Sequence, residues 1–293
     1  MIDISFSFNL LTDLQTMWQY DFMQHAFEAG TIIAIIAGIV GYFVVLRRSS
    51  FAAHALSHIG FAGAAGAVLF GVDPIIGLLL FTSGGGITIA LLGRRAAARD
   101  VQIGTVLAFM LGLGVLFISL YSGYATEAYS ILFGEILGIS SNDVLVTLIA
   151  SQVILLLTAV VYRPLLFASL DEDVAEAKGL PTLFLGVVFM LLVAVATSIS
   201  VQVVGVLLIF ALMVTPAAIA QRLAKRPVHG IMISIVIALF ATWIGLFISF
   251  YEPYPVSFFI TSIVFVLYVL TLIFQKVNTY LSTRKMQFHN HDR

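Results

Sequence analysis

The feature that most constrains this chain is a series of long apolar stretches that contain no Asp, Glu, Lys or Arg. Nine such stretches can be marked, at residues 30–46, 51–71, 74–92, 103–121, 144–162, 183–198, 203–220, 230–250 and 256–274. Most of them are long enough to cross a bilayer, which takes about 20 apolar residues in an α-helix. The sequence therefore predicts an all-α, polytopic transmembrane bundle.

The basic residues fix the expected orientation of this bundle. All 14 Lys and Arg residues fall in alternate loops or in the tail, on one side of the zigzag that the stretches describe. Loops rich in Lys and Arg stay in the cytoplasm, so we expect the N-terminus outside and the C-terminus inside. The chain then divides into an outer interfacial segment at 1–29, a membrane domain at 30–275 and a cytoplasmic tail at 276–293.

The loops on the other side hold acidic residues and no basic ones. These nine acids are Asp3, Asp13, Asp21, Glu28, Asp73, Glu127, Glu135, Asp143 and Glu252. A negative outer vestibule would concentrate cations at its mouth. The alternative is that orientation requires only the inner basic residues and that the outer acids are incidental.

Composition excludes several classes of function. Hydrophobic residues make up 61% of the chain and charged residues 10%, whereas soluble domains have near half and a quarter. The absence of Cys excludes disulfides and thiolate metal sites. The sequence has no G-x-x-x-x-G-K-[S/T] loop for ATP and no paired nucleophile and base, so we expect no enzymatic activity of its own.

The number of spans depends on residues 183–220. This stretch lies between Lys178 and Arg222, which are both expected inside, so the chain must cross twice or re-enter. The polar residues Thr197–Ser200 offer a break that gives nine spans, and without a full crossing there are eight. Pro216 lies inside the stretch and should kink its helix against protein or water rather than lipid, because it frees a backbone carbonyl. Short or interrupted spans often line transport pathways.

Residues 122–142 are a second ambiguous region, expected outside. The run Ile131 to Leu137 is too short to cross and is expected to form a half-buried helix that caps the outer mouth. Residues Ser141 to Asp143 then offer an N-cap for the next span.

Two histidines inside a span are the first candidate for chemistry. His54 and His58 are spaced i to i+4, so both rings lie on one helix face and are close enough to share a divalent metal ion. Ionisable side chains in a membrane are functional candidates by default. The alternative is that each ring only hydrogen-bonds a neighbouring helix. Oxygen ligands could come from Glu135, Asp73 or Glu28 on the outer side, although no spacing fixes them.

An acidic run in an otherwise basic inner face is the second candidate. It contains Asp171, Glu172, Asp173 and Glu176 and ends at Gly179. Acidic residues in the first turn and a glycine just past the last turn are favourable helix-capping features, so a short helix is expected. The alternative is a solvated loop helix without a partner.

Four segments of the chain together resemble one family, the zinc and manganese permeases of ATP-binding cassette importers. They are Gly41 to His58, Leu132 to Leu137, Asp171 to Pro181, and Val203 to Ala220, within a similarity from about Tyr20 to about Leu272. The resemblance implies a homodimeric permease in the cytoplasmic (inner) membrane. It also implies separate ATPase subunits that bind ATP, and an extracytoplasmic protein that delivers the metal ion. The segment from Asp171 to Gly179 would then be the coupling helix that docks on the ATPase.

One position departs from the family pattern. The family usually has Asp where this chain has His54, whereas the histidine at His58 is retained. An imidazole in place of a carboxylate shifts preference toward borderline ions, so we expect zinc as the cargo, with manganese or iron as the alternative. Two other classes remain open: an ATP-independent cation channel or secondary carrier, and a structural membrane subunit with incidental histidines.

Overall fold

The chain folds entirely into α-helices and their connections in the part that the structure describes. This computed structural model describes residues 10–91, 96–121, 134–252 and 254–291. The helices are α1 (Leu10–Met17), α2 (Asp21–Leu46), α3 (Ser50–Leu69), α4 (Pro74–Leu91), α5 (Ala96–Leu120), α6 (Ser141–Leu170), α7 (Glu172–Ala177), α8 (Thr182–Leu223), α9 (Pro227–Tyr251) and α10 (Val256–His291).

Eight of these helices are long and apolar enough to span a membrane: α2, α3, α4, α5, α6, α8, α9 and α10. Each has an apolar stretch of 18 residues with at most two charged side chains. A helix satisfies its own backbone hydrogen bonds, which the hydrocarbon core requires. The predicted all-α, polytopic bundle is therefore confirmed.

Helix α8 reverses direction at Gly205, which has φ 80° and ψ 164°. Its first half runs along α4, where Ser198 and Thr82 share a 2.6 Å hydrogen bond, and reaches Asp143 through Gln202. Its second half returns to the C-terminal part of α2, where the Gln221 side chain donates to a backbone carbonyl. The 42-residue element thus passes through the bundle twice. The eight long helices therefore pass through the bundle nine times, because α8 does so twice.

The break that the sequence predicted at Thr197–Ser200 is wrong, because these residues are helical and buried. A hydroxyl does not require a break in the helix: Ser198 donates to the backbone carbonyl of Ala194, one turn earlier. The reversal occurs at Gly205 because its backbone conformation lies in a region that only glycine populates readily. Gly134, with φ 73°, packs directly on this point, and a Cβ there would overlap the backbone of Val204 and Gly205.

Three helices form the centre of the bundle and are the most buried. In α2, α3 and α8 about two thirds or more of the most apolar window is buried, against 17% in α5 and α10. Helix α8 contacts α2, α3, α4, α6, α9 and α10. Helices α3 and α4 meet at Gly63 and Gly77, where a Cβ on either would overlap the carbonyl oxygen of the other. Small residues of this kind let membrane helices approach closely.

The two ends of the bundle differ in charge. We call the end that carries Arg47, Arg48 and Arg222 the basic end. We call the end that carries Asp73, Glu135 and Asp143 the acidic end. Alternate connections place these two sets at opposite ends, as the sequence pattern predicts.

Several boundaries differ from those expected. Helix α2 begins at Asp21, nine residues before the predicted first span, and α10 continues through the predicted tail to His291. Residues 131–133 of the expected capping helix lie outside the described part, and 134–140 form turns rather than a helix. Pro216 is buried inside α8 against protein, and the non-helical residue is Gly205.

Candidate metal site

The structure brings His54 and His58 together on α3. Their ring centroids are 4.6 Å apart and the rings are nearly perpendicular, at 83°. The ring of His54 also lies 4.7 Å from that of Phe210 on the returning half of α8. The i to i+4 spacing predicted this shared face, and the surrounding alanines of α3 leave room for the rings.

Both imidazoles keep one nitrogen available. The Nδ1 atoms of His54 and His58 are buried, and neither has a hydrogen-bond partner in the part of the chain that is described. Buried polar atoms in proteins are nearly always paired, so two such atoms on one face need an explanation. A metal ion shared between the rings would supply it, since neutral imidazole is a common ligand for transition metals.

One copy of the chain offers only this pair. Among the described residues there is no group of three or more His, Cys, Asp or Glu side chains that could hold a metal ion. Both rings are only partly buried. The pair alone therefore supplies fewer ligands than a transition metal usually has, and each ring keeps part of its surface exposed while its Nδ1 is buried.

The acidic end holds a separate cavity of about 190 Å³. Three carboxylates line it, those of Asp73, Glu135 and Asp143, together with the amide of Gln202. Asp73 accepts a 2.9 Å hydrogen bond from the backbone N–H of Ile75 at the start of α4. Asp143 forms a capping box with Ser140 at the start of α6. Two of the three acids therefore also stabilise helix N-termini.

The predicted oxygen donors do not join the histidine pair. The cavity at the acidic end touches α3 at Ala64, six residues after His58, which is about 9 Å along the helix. We call it the outer cavity, after the orientation that the sequence predicts. Glu135 and Asp73 line this cavity together, whereas Glu28 is exposed and lines neither this cavity nor the histidine pair. The predicted metal ligands therefore fall into two separate groups: the imidazole pair on α3, and the carboxylates of Glu135 and Asp73 at the acidic end.

Sequence reasoning did not propose Gln202 or His25 for this region, and it named Asp143 only among the outer acids and as part of a helix N-cap. Asp143 and Gln202 join the outer cavity, and the amide of Gln202 reaches an Asp143 carboxylate oxygen at 3.4 Å. The only signal for Gln202 was an amide in an otherwise apolar stretch. His25 belongs to α2 because that helix begins at Asp21, before the predicted first span. Its Nδ1 lies 3.2 Å from the carbonyl oxygen of Ile139. That contact gives His25 a structural role between α2 and the 134–140 turns.

The acidic segment forms the short helix that was predicted. Asp171 is the N-cap of α7 and accepts a 3.0 Å hydrogen bond from the backbone N–H of Val174. Gly179 follows the helix with φ 80°. Ala175 packs into a small apolar cluster with Ala168 and Leu185, which fixes α7 against α6 and α8.

The acidic side chains of this segment divide into two groups. Asp171, Asp173 and Glu176 are exposed, whereas Glu172 is partly buried in a cavity at the basic end. The helix therefore presents carboxylates outward while its apolar side is anchored. This arrangement suits a docking surface for a partner with basic groups.

Comparison with known proteins gives consistent results. The manganese transport system membrane protein MntC of Listeria innocua is 32% identical over 238 residues, which cover 81% of this chain and 85% of that protein. The manganese import system permease protein ScaB of Streptococcus gordonii is 31% identical, with the same shares covered. A solved structure described as PsaBC from Streptococcus pneumoniae in complex with Fab superposes with a TM-score of 0.80 at 29% identity. That match covers 89% of this chain and 95% of that one. Residues 19–275 match the ABC 3 transport family, and the chain belongs to that family.

Proposed function

We propose that this chain is the membrane permease subunit of an ATP-driven importer of a divalent transition metal ion. The observation that carries the proposal is the His54–His58 pair, two imidazoles on one face of a membrane helix with a buried, unpartnered Nδ1 each. Family membership supports the importer class. The sequence contains no phosphate-binding loop, so a partner subunit hydrolyses the ATP.

Manganese is the cargo that we propose first. Its support is that relatives such as the Listeria and Streptococcus proteins are named for manganese transport. Zinc is the second candidate, and a specific observation favours it. An imidazole at position 54 is a softer ligand than a carboxylate, and softer nitrogen ligands suit zinc better than manganese.

The permease acts as a homodimer in this proposal. One copy supplies two imidazoles, whereas transition metals in proteins usually have four or more ligands. Because both rings are only partly buried, a second copy packed over this face of α3 can contribute further ligands. An extracytoplasmic metal-binding protein would dock at the acidic end, where three carboxylates line the outer cavity.

Coupling to ATP hydrolysis is assigned to α7 and its flanks, residues 171–179. The capped helix exposes Asp173 and Glu176 at the otherwise basic end of the bundle. By the positive-inside pattern this end faces the cytoplasm, where the ATPase is located. In this proposal the membrane is the cytoplasmic (inner) membrane.

The proposal is tested by reconstituting the chain with its partner ATPase in proteoliposomes. Uptake of manganese and of zinc is measured with ATP, without ATP and with a non-hydrolysable ATP analogue. We expect ATP-dependent uptake that falls to background in the His54→Ala, His58→Ala double variant. Uptake that proceeds equally without ATP would instead identify a channel or secondary carrier. A double variant that transports both metals at the original rate would reduce the pair to packing residues.

A further inference from the structure

The basic end of the bundle contains a cavity of about 400 Å³ that the proposed metal pathway does not use. It lies where α2, α4 and α6 end and where α8 begins. Its polar lining residues are Arg47, Arg48, Ser49, Ser169, Glu172 and Thr182. Among the described residues that line this cavity, two are arginines and one is a glutamate, so the positive side chains outnumber the negative ones.

Arg47 is held in place within this cavity. Its guanidinium lies 5.2 Å from the ring centroid of Phe189 and donates a weak 3.4 Å hydrogen bond to the Ser169 hydroxyl. Stacking on an aromatic ring is a favourable position for arginine. A positioned guanidinium presents its donors in a fixed fork, which matches the oxygens of a phosphate group.

Arg48 occupies a position at which glycine is usual. The backbone N–H groups of Arg48 and Ser49 bond to the carbonyls of Val45 and Val44, so α2 ends in a Schellman motif. Arg48 sits at the left-handed residue of this motif with φ 52°. A bulky side chain in that conformation is strained, and such outliers cluster where a side chain has a task. The task indicated here is to place a second positive charge in the cavity.

The first turn of α8 adds to the positive field. Its N-cap residue is Pro181, whose side chain has no hydrogen-bonding group. The backbone N–H groups of the first turn are therefore not bonded by the N-cap side chain. The N-terminus of a helix carries a partial positive charge and favours anions. Thr182 belongs to this turn and lines the cavity.

The rim of the cavity is apolar and faces outward. Leu170 and Leu183 both line it, and they are 63% and 57% exposed. Leu170 is the last residue of α6 and Leu183 lies in the first turn of α8, and both helices are long and apolar enough to span a membrane. A basic interior with an apolar rim at the ends of such helices matches an amphiphile with a negative head and hydrocarbon chains.

We propose that this cavity binds the phosphate headgroup of an anionic phospholipid from the adjoining leaflet. The headgroup phosphate pairs with Arg47 and Arg48, and the acyl chains run past Leu170 and Leu183 into the bilayer. Glu172 opposes the bound anion but is outweighed by the two arginines. Because Glu172 belongs to the proposed coupling segment, a bound anion would also act on α7 through this repulsion; only this last consequence rests on the proposed function.

The test is a lipid titration of the purified, delipidated chain followed by native mass spectrometry. The probes are phosphatidylglycerol, phosphatidylcholine with the same acyl chains, and glycerol phosphate as the soluble source of the same headgroup. We expect preferential binding of phosphatidylglycerol. Arg48→Gly should lower that affinity about fivefold, the contribution of one basic residue near an anionic membrane surface. Glu172→Gln should raise the affinity by removing the opposing carboxylate.

The controls separate loss of the site from loss of the fold. Glycine suits φ 52°, so Arg48→Gly should unfold at the same temperature as the parent or higher, and Arg48→Asn is a second variant that tolerates this conformation. Lys225→Gln removes an exposed charge at the same end and should leave lipid binding unchanged. The proposal is overturned if both Arg48 variants bind phosphatidylglycerol like the parent, if the two lipids bind equally, or if glycerol phosphate binds as tightly. None of these measurements involves metal or ATP, so failure of the proposed transport function would be seen separately.

Discussion

At the scale of single residues, His54 is an imidazole at a position where the family resemblance leads us to expect a carboxylate. The ring lies 4.6 Å from that of His58, so both imidazoles can contact one ion. A carboxylate at position 54 would give a mixed oxygen and nitrogen pair, which suits the harder manganese ion. In the proposed site, the identity of this one residue therefore sets part of the metal preference.

We predict that His54→Asp shifts the ratio of manganese to zinc uptake toward manganese. The shift should be about tenfold or more, because even the outer partners of metal ligands contribute about 10- to 100-fold to metal affinity. Competition uptake in proteoliposomes measures this ratio. His229→Asp is the matched control, since His229 is exposed at the basic end and lies far from α3 in the chain. An unchanged ratio in His54→Asp would show that this side chain does not select the metal.

The histidine pair was predictable from sequence and the outer cavity was not, for a physical reason. His54 and His58 are four residues apart on one helix, so helical geometry alone places them together. Asp143 and Gln202 are 59 residues apart, and only the packing of α8 against the start of α6 joins them. Contacts between distant segments depend on the tertiary fold, which local spacing does not determine.

At the scale of secondary structure elements, the reversal of α8 depends on two glycines. Gly205 has φ 80° and ψ 164°, and Gly134 with φ 73° packs against it. This contact ties the turns after residue 133 to the point where α8 turns back. The element therefore brings Gln202 and the outer cavity to the acidic end, and brings Phe210 back to His54.

We predict that Gly205→Ala destabilises the protein by about 1–3 kcal/mol, the cost of a non-glycine residue in this backbone region. Thermal unfolding in detergent should show a lower midpoint for this variant. Gly112→Ala is the control: Gly112 lies in α5, nothing approaches its Cβ position within 4 Å, and alanine favours a helix there. A Gly205→Ala midpoint equal to that of the Gly112→Ala control would show that the reversal does not require glycine.

The sequence located this reversal only approximately. Polar residues at Thr197–Ser200 were the visible break, yet their hydroxyls can bond within the helix, as Ser198 does to the carbonyl of Ala194. Serine and threonine therefore need no interruption of a membrane helix. Prolines mark the starts of helices more accurately than these hydroxyl residues mark the reversal: Pro74 and Pro227 begin α4 and α9, and Pro181 is the N-cap of α8. Proline lacks the backbone donor that is unused in the first turn of a helix.

We predict that the double variant Glu172→Lys, Glu176→Lys uncouples ATP hydrolysis from metal uptake. The change reverses two charges on the α7 segment, so a basic docking surface on the ATPase would be repelled. Uptake and ATPase activity of the assembled complex should be measured together, and uptake should fall by a larger factor than ATPase activity. Glu28→Lys, an exposed reversal at the acidic end, should leave this ratio unchanged. Normal uptake and normal ATPase stimulation in the double variant would mean that the segment is only a linker.

At the scale of the whole molecule, the uneven distribution of charge is what the sequence predicted best. Near neutrality the chain has a formal net charge of only −1, yet its basic and acidic loops lie at opposite ends of the bundle. The extent of burial was not predictable in the same way. The most apolar stretches of α2 and α5 have the same mean hydropathy of 2.4, but 67% of the stretch in α2 is buried, against 17% in α5. Lipid and protein interior are both apolar, so composition alone does not distinguish a core helix from a lipid-facing one.

The orientation of the bundle yields the last prediction. The chain contains no cysteine, so single cysteines can be introduced and labelled in intact cells with a membrane-impermeant thiol reagent. Cysteine at Asp73 or Glu252, both exposed at the acidic end, should react from outside, and cysteine at Arg226 or Lys276 should react only after permeabilisation. Asp13 is a poor position for labelling because it is only 3% exposed. Labelling of positions 226 and 276 in intact cells, with 73 and 252 protected, would invert the orientation. The acidic cavity would then face the cytoplasm and could not receive metal from outside.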